Sequence, residues 1–165
     1  MMVMVDSYYH DFTLAISGED GTLLLPASQL RASWQGLLPS NQDYYLQVFA
    51  GPGGGNFSLS VTIASRIQFA PGAISASVNG FTADGYNVTY ALRASAGQRM
   101  TINLLAPSGS AALTVYGFSD GQPYVRAQSG QTSFTMVLPL TQDYIIEVVP
   151  FAGQEVSFTL QTEVK

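Results

Sequence analysis

Apolar residues recur at every second position over short stretches of this chain, and that rhythm leaves few folds open to it. Tyr44, Leu46 and Val48 alternate with their neighbours in this way, as do Phe57, Leu59, Val61 and Ile63. The same period runs through Ile74, Ala76 and Val78, then Val88, Tyr90 and Leu92, then Met100, Ile102 and Leu104, then Leu113 and Val115. It returns in Phe134, Met136 and Leu138, in Tyr144, Ile146 and Val148, and in Val156, Phe158 and Leu160. Successive side chains of an extended backbone point to opposite faces, so each stretch predicts a strand with one face turned to a core. Pro71-Gly72, Asp84-Gly85, Ala96-Gly97, Pro107-Ser108-Gly109, Asp120-Gly121 and Ala152-Gly153 supply turns between them. No stretch carries a capped stripe at the 3.6-residue helical period. Short strands about 8 to 12 residues apart, punctuated by turns, predict an all-β sandwich of Greek-key or jelly-roll type.

The strands fall into a repeat. Residues 33–48 align without a gap on residues 133–148, a constant offset of 100, with identities at Ser33, Leu38-Pro39, Gln42-Asp43-Tyr44 and Val48. Upstream, Leu14-Ala15-Ile16-Ser17-Gly18 matches Leu113-Thr114-Val115-Tyr116-Gly117, and Asp20-Gly21 matches Asp120-Gly121. Downstream, residues 56–61 match 155–160 in pattern. The copies are unequal, because Met1 aligns with Met100 and residues 66–99 have no counterpart ahead of Met1. The expected organisation is an incomplete sandwich over residues 1–64 and a complete one over 65–165. The connection 62–66 is too short for the two to tumble independently over long distances.

Composition excludes several classes of function. Only 10% of the 165 residues are charged and 47% are hydrophobic, which argues for a packed domain rather than disorder. Six basic residues against eleven acidic ones, with a pI near 4.5, provide no cationic surface for a run of phosphates or an anionic bilayer. Neither nucleic acid nor membrane insertion is expected, and no apolar run approaches the roughly 20 residues that a helical span requires. The chain has no cysteine and one histidine, so disulfides, thiolate catalysis and cysteine or multi-histidine metal sites are excluded. No cofactor and no metal are expected. Residues 1–5 are too short and too poor in basic residues for a secretion leader. Low charge with abundant Gly, Ser, Thr and Tyr nonetheless suits an exported β-protein, so the expected location is extracytoplasmic.

Leu138-Pro139-Leu140-Thr141-Gln142-Asp143-Tyr144 and its copy ending at Tyr44 read as tyrosine corners, in which the Tyr144 and Tyr44 hydroxyls tie a crossover to nearby backbone. Residues 66–165, with RIQFAPGAISASVNG, YALRASAGQRMTINLLAP, LTVYG, LPLTQDYIIEVVP and FTLQTEV, resemble the bacterial pre-peptidase C-terminal type of β-sandwich, close to the branch containing periplasmic inhibitors of g-type lysozyme. The Ala96-Gly97-Gln98 step into a strand and the Leu-Pro start of the Tyr strand carry the likeness; the alternation is shared by many sandwiches. The resemblance implies an exported, non-catalytic module that binds protein or carbohydrate. In the inhibitors the active loop precedes the strand equivalent to residues 133–138; here that connection, 122–132, is short and unremarkable, so the resemblance does not by itself carry inhibition over.

Individual residues add little chemistry. His10, in Ser7-Tyr8-Tyr9-His10-Asp11, has a hydroxyl and a carboxylate as sequence neighbours, but no motif supplies an oriented nucleophile or oxyanion donors. Tyr8, Tyr9 and His10 read better as a partner-binding loop, since the aligned Pro107-Ser108-Gly109-Ser110 is a plain turn and tyrosines give contact area at low entropic cost. Trp34 lies opposite Phe134 in the repeat and belongs to the core face rather than to a sugar-stacking site. Asp20, Asp84 and Asp120 are single acids in Asp-Gly turns, not a calcium loop. The glycine-rich residues 51–55 link two strands and lack the lysine and helix of a phosphate cradle. The sequence therefore predicts a non-enzymatic binding or surface-assembly protein whose partner is protein, first of all other copies of itself joined through the incomplete repeat. The alternatives are a periplasmic inhibitor of a g-type lysozyme, a binder of cell-wall glycan, and an accessory domain of a secreted protease or glycan-acting enzyme.

Overall fold

A computed structural model of the chain describes residues 1–8 and 11–165. It is all-β and divides into two compact units, Met1–Ile63 and Ala64–Lys165. The first unit contains β1 (Met2–Asp6), β2 (Phe12–Gly18), β3 (Leu23–Leu25), β4 (Ser33–Gln35), β5 (Tyr44–Ala50) and β6 (Ser58–Thr62). The second contains β7 (Ser65–Arg66), β8 (Ser75–Phe81), β9 (Val88–Ala94), β10 (Arg99–Leu105), β11 (Ala111–Gly117), β12 (Pro123–Val125), β13 (Ser133–Val137), β14 (Gln142–Pro150) and β15 (Ser157–Val164).

The second unit is a two-sheet sandwich with strand orders β13-β10-β15-β8 and β12-β11-β14-β9-β7. Every pairing is antiparallel except the short parallel contact of β7 with β9. Period-two alternation turns Met100, Ile102 and Leu104 of β10, Leu113 and Val115 of β11, Tyr144, Ile146 and Val148 of β14 and Phe158 and Leu160 of β15 into one buried cluster. Residues from strands far apart in sequence meet there, so burial of these side chains, at about 1.5 to 3 kcal/mol each, is what holds the sheets face to face.

The first unit arranges its strands as β4-β1-β6 and β3-β2-β5. These orders correspond to β13-β10-β15 and β12-β11-β14, so what the first unit lacks is any counterpart of β7, β8 and β9 among its described residues. Its core is correspondingly small: Val3, Val5, Phe12, Leu14, Ile16 and Leu25, with Trp34, Leu46 and Val48 packed against it. The ladders also shift the downstream alignment by two residues. Leu59 stands opposite Val5 on β1 as Leu160 stands opposite Leu104 on β10, which makes Leu59 rather than Val61 the positional counterpart of Leu160. A shift of two keeps each side chain on its face, so alternation alone could not detect it. The two positions differ sharply in burial, Leu160 being 0% exposed and Leu59 40%.

Candidate functional site

The connection 122–132 in the second unit combines a fixed backbone with an outward polar surface. It begins with β12 on the edge of the five-stranded sheet, forms a short 3-10 turn at Ala127–Ser129 and ends with Gly130 at φ 69°. Both sheets hold it. Leu113 N donates to Gln131 O at 2.8 Å from β11, and Leu104 N donates to Thr132 O at 2.7 Å from β10. Ala127 N donates to Thr114 Oγ1 at 3.1 Å, and Ser129 Oγ closes the turn by donating to Arg126 O at 2.8 Å. Val125 and Ala127 are buried with Arg126 exposed between them, and Gln128 and Gln131 are exposed beyond. A loop ordered in this way loses little conformational freedom when it meets a partner.

The repeated Gln-Asp-Tyr motif at the start of β14 braces the neighbouring turn. Gln142 is buried; its Oε1 accepts from Ser119 N at 2.8 Å and its Nε2 donates to Asp120 Oδ2 at 3.1 Å. Asp120 Oδ1 also accepts from Gln122 N at 3.0 Å, and this backbone donor, helped by Gln142 and Tyr124, holds the Asp120 carboxyl below its ordinary value. Tyr124 Oη lies 3.3 Å from Asp120 Oδ2, and burial together with the Asp120 charge pushes the phenol up to about 12. Asp143 takes a two-pronged grip from Arg66, Nη1 to Oδ1 at 2.9 Å and Nη2 to Oδ2 at 3.0 Å, which lowers the pKa of its carboxyl. Tyr144 Oη donates to Leu140 O at 2.7 Å, and in the first unit Tyr44 Oη donates to Ser40 O at 2.8 Å. On the same strand Glu147 is largely buried, which raises its pKa, and it faces Tyr116 Oη at 3.4 Å. Burial and the Glu147 charge push Tyr116 up to about 12.

The other sequence candidates are distributed as follows. Tyr8 is exposed and, with Asp6, Ser7, Asn56, Phe57 and Ser58, lines an open groove of about 560 Å³ in the first unit. Phe57 also packs against Phe12, with ring centroids 5.1 Å apart and the planes tilted by 46°. Tyr9 and His10 lie outside the described residues. Trp34 packs against the first unit's core. No group of three or more His, Asp or Glu able to hold a metal occurs among the described residues, and none of their helices is long and apolar enough to cross a membrane. Sequence reasoning missed the support given by Gln142 and Arg66. The repeated Gln-Asp-Tyr was the available signal for Gln142, whereas Arg66 and Asp143 are 77 residues apart with nothing local to link them.

No protein-family model matches the chain, and no curated protein matches it. Solved structures do. The crystal structure of Aeromonas hydrophila PliG, a periplasmic lysozyme inhibitor of g-type lysozyme, is 28% identical, with a TM-score of 0.53 over 62% of this chain and 96% of that one. That share of this chain is the length of the second unit. Salmonella Typhimurium PliG is 19% identical with a TM-score of 0.48, covering 64% of this chain and 100% of that one. A mutant of the Escherichia coli inhibitor is 16% identical with a TM-score of 0.48, covering 62% and 97%. The Aeromonas hydrophila structure agrees with the lysozyme-inhibitor side of the resemblance read from residues 66–165; the pre-peptidase C-terminal side is not confirmed.

Proposed function

We propose that this protein is a non-catalytic, extracytoplasmic inhibitor of a g-type lysozyme and that its second unit makes the inhibitory contact. The observation that carries this reading is the similarity to nearly the whole length of Aeromonas hydrophila PliG at 28% identity. The geometry supports it. Connection 122–132 is held by both sheets and leaves Arg126 exposed between β12 and its 3-10 turn. Most glycoside hydrolases work through a pair of carboxyl groups, and an arginine fork matches a carboxylate in shape and charge. In this reading Arg126 enters the enzyme's cleft while the adjacent glutamines hydrogen-bond at its rim. Calorimetric titration of the protein into a g-type lysozyme tests it, with a c-type lysozyme as control. Saturable one-to-one binding to the g-type enzyme is expected; no heat at 50 µM of each partner overturns the reading.

A second reading concerns the first unit, which we propose serves self-association. Among the described residues no strand pairs with the outer edges of β5 and β6, and strand edges bordered by apolar side chains recruit further strands.

A further inference from the structure

The outward face of the four-stranded sheet in the second unit is hollowed along its middle. β15 lies between β8 and β10, and the registers set the outward side chains of the three strands in rows. Thr101, Glu163 and Ser75 make one row, and Asn103, Gln161 and Ser77 the next. Leu105, Thr159 and Asn79 make the third. A hollow of about 280 Å³ opens over the first two rows, and one of about 690 Å³ over the third, where Ser157 and Pro107 join the lining. The two follow one another along β15 from Ser157 to Glu163, a distance of about 20 Å at about 3.4 Å per residue. That length suits a chain of small rings better than a single one.

We propose that this trough binds an uncharged glycan chain lying along β15. Side-chain amides and hydroxyls both donate and accept hydrogen bonds, as the hydroxyl and acetamido groups of sugars do. Asn103, Gln161 and Ser77 make no side-chain hydrogen bond among the described residues, so the middle row offers its full set to a ligand. In the third row Thr159 Oγ1 donates to Asn79 Oδ1 at 2.8 Å, which holds that amide with its Nδ2 as the remaining donor. Glu163 is the one charged residue of the lining among the described residues, and Lys165 Nζ takes it at 2.8 Å from Oε1. The trough therefore keeps no cation for a phosphate or carboxylate. Protein partners are met through aromatic, Met and Arg side chains, none of which stands in the three rows. At the far end Leu105, which is 52% exposed, and Pro107 supply an apolar floor for the C–H face of a sugar ring. The site is distinct from the inhibitory contact. Arg126 follows β12 on the edge of the five-stranded sheet, so one chain can hold a glycan and an enzyme that attacks glycan at different places.

Titration of the nitrogen-15-labelled full chain with cellotetraose and with N-acetylchitotetraose, each to 5 mM, tests the proposal by nuclear magnetic resonance. The expected result is saturable movement of the side-chain amide signals of Asn79, Asn103 and Gln161 with at least one of the two, while those of Gln128 and Gln131 stay in place. Binding of the acetylated sugar alone assigns the amides to acetamido groups, and binding of both assigns them to ring hydroxyls. Asn103→Ala combined with Gln161→Ala is expected to weaken binding at least tenfold with an unchanged far-ultraviolet spectrum, since both side chains face outward. Ser77→Tyr, which fills the middle row from an exposed position on β8, is expected to weaken it as much. No movement with either oligosaccharide, movement that spares β8, β10 and β15, or undiminished binding by both variants overturns the proposal.

Discussion

Truncating Leu59 and Leu160 separately compares how well each unit covers the same strand position. Each substitution by alanine deletes three carbons from a strand side chain facing a core, so the chemistry is matched and only the surroundings differ. Leu160 is fully buried in a complete sandwich; losing its transfer energy and leaving a cavity costs about 4 kcal/mol. Leu59 keeps 40% of its surface exposed. About 60% of a transfer term near 2.5 kcal/mol remains, and an open edge relaxes without leaving a cavity, so Leu59→Ala costs about 1.5 kcal/mol. Trp34, the only tryptophan, packs in the first unit, so its fluorescence during urea unfolding reports that unit alone. Far-ultraviolet circular dichroism then gives the second transition, and the two are fitted separately. The comparison is made below 1 µM. A loss of 3 kcal/mol or more for Leu59→Ala at that dilution would refute the reasoning, since it would mean the side chain is already covered within one chain.

Further substitutions probe the braces around β14 and the turns. Arg66→Met strands the Asp143 carboxylate, which is 4% exposed, and costs about 3 kcal/mol at pH 7. Asp143→Asn costs less, because Arg66 is 42% exposed and reaches water. The Asp143 carboxyl is held below its ordinary value, so its contribution is complete above about pH 4 and is lost as pH falls through the folded-state pKa; in Arg66→Met that acid-side loss is reversed in sign, as pH-dependent urea curves will show. Leu30→Gly stabilises the first unit by about 1 kcal/mol in the Trp34 assay, since Leu30 is exposed at φ 48° where the second unit has Gly130. Tyr144→Phe costs about 1.5 kcal/mol through the lost bond to Leu140 O, and Tyr44→Phe less than half of that, because its bond to Ser40 O is exposed to water. Arg126→Glu weakens lysozyme binding at least tenfold in calorimetry without moving either unfolding transition.

The strands were legible because alternation is a local consequence of burial: Met100, Ile102 and Leu104 sit where period two puts them. β3 and β12 were not, since Leu23-Leu24-Leu25 has no alternation and Pro123–Val125 is too short to show any. The two-residue shift that pairs Leu59 with Val5 is invisible to any argument from faces. Candidate sites were harder to read than strands. The partner loop at Tyr8, Tyr9 and His10 was chosen for its aromatic content, a cue that says nothing about order, and two of its three residues lie outside the described structure. Connection 122–132 looked plain because its value lies in backbone bonds to Leu104 and Leu113, which leave no mark on side-chain identity.

Turnover of peptidoglycan by a g-type lysozyme, followed while the full chain is titrated in, tests the central claim most directly. The account predicts a linear fall in rate to near zero at one equivalent of chain per enzyme, with a c-type lysozyme unaffected. An undiminished rate at tenfold molar excess would contradict it.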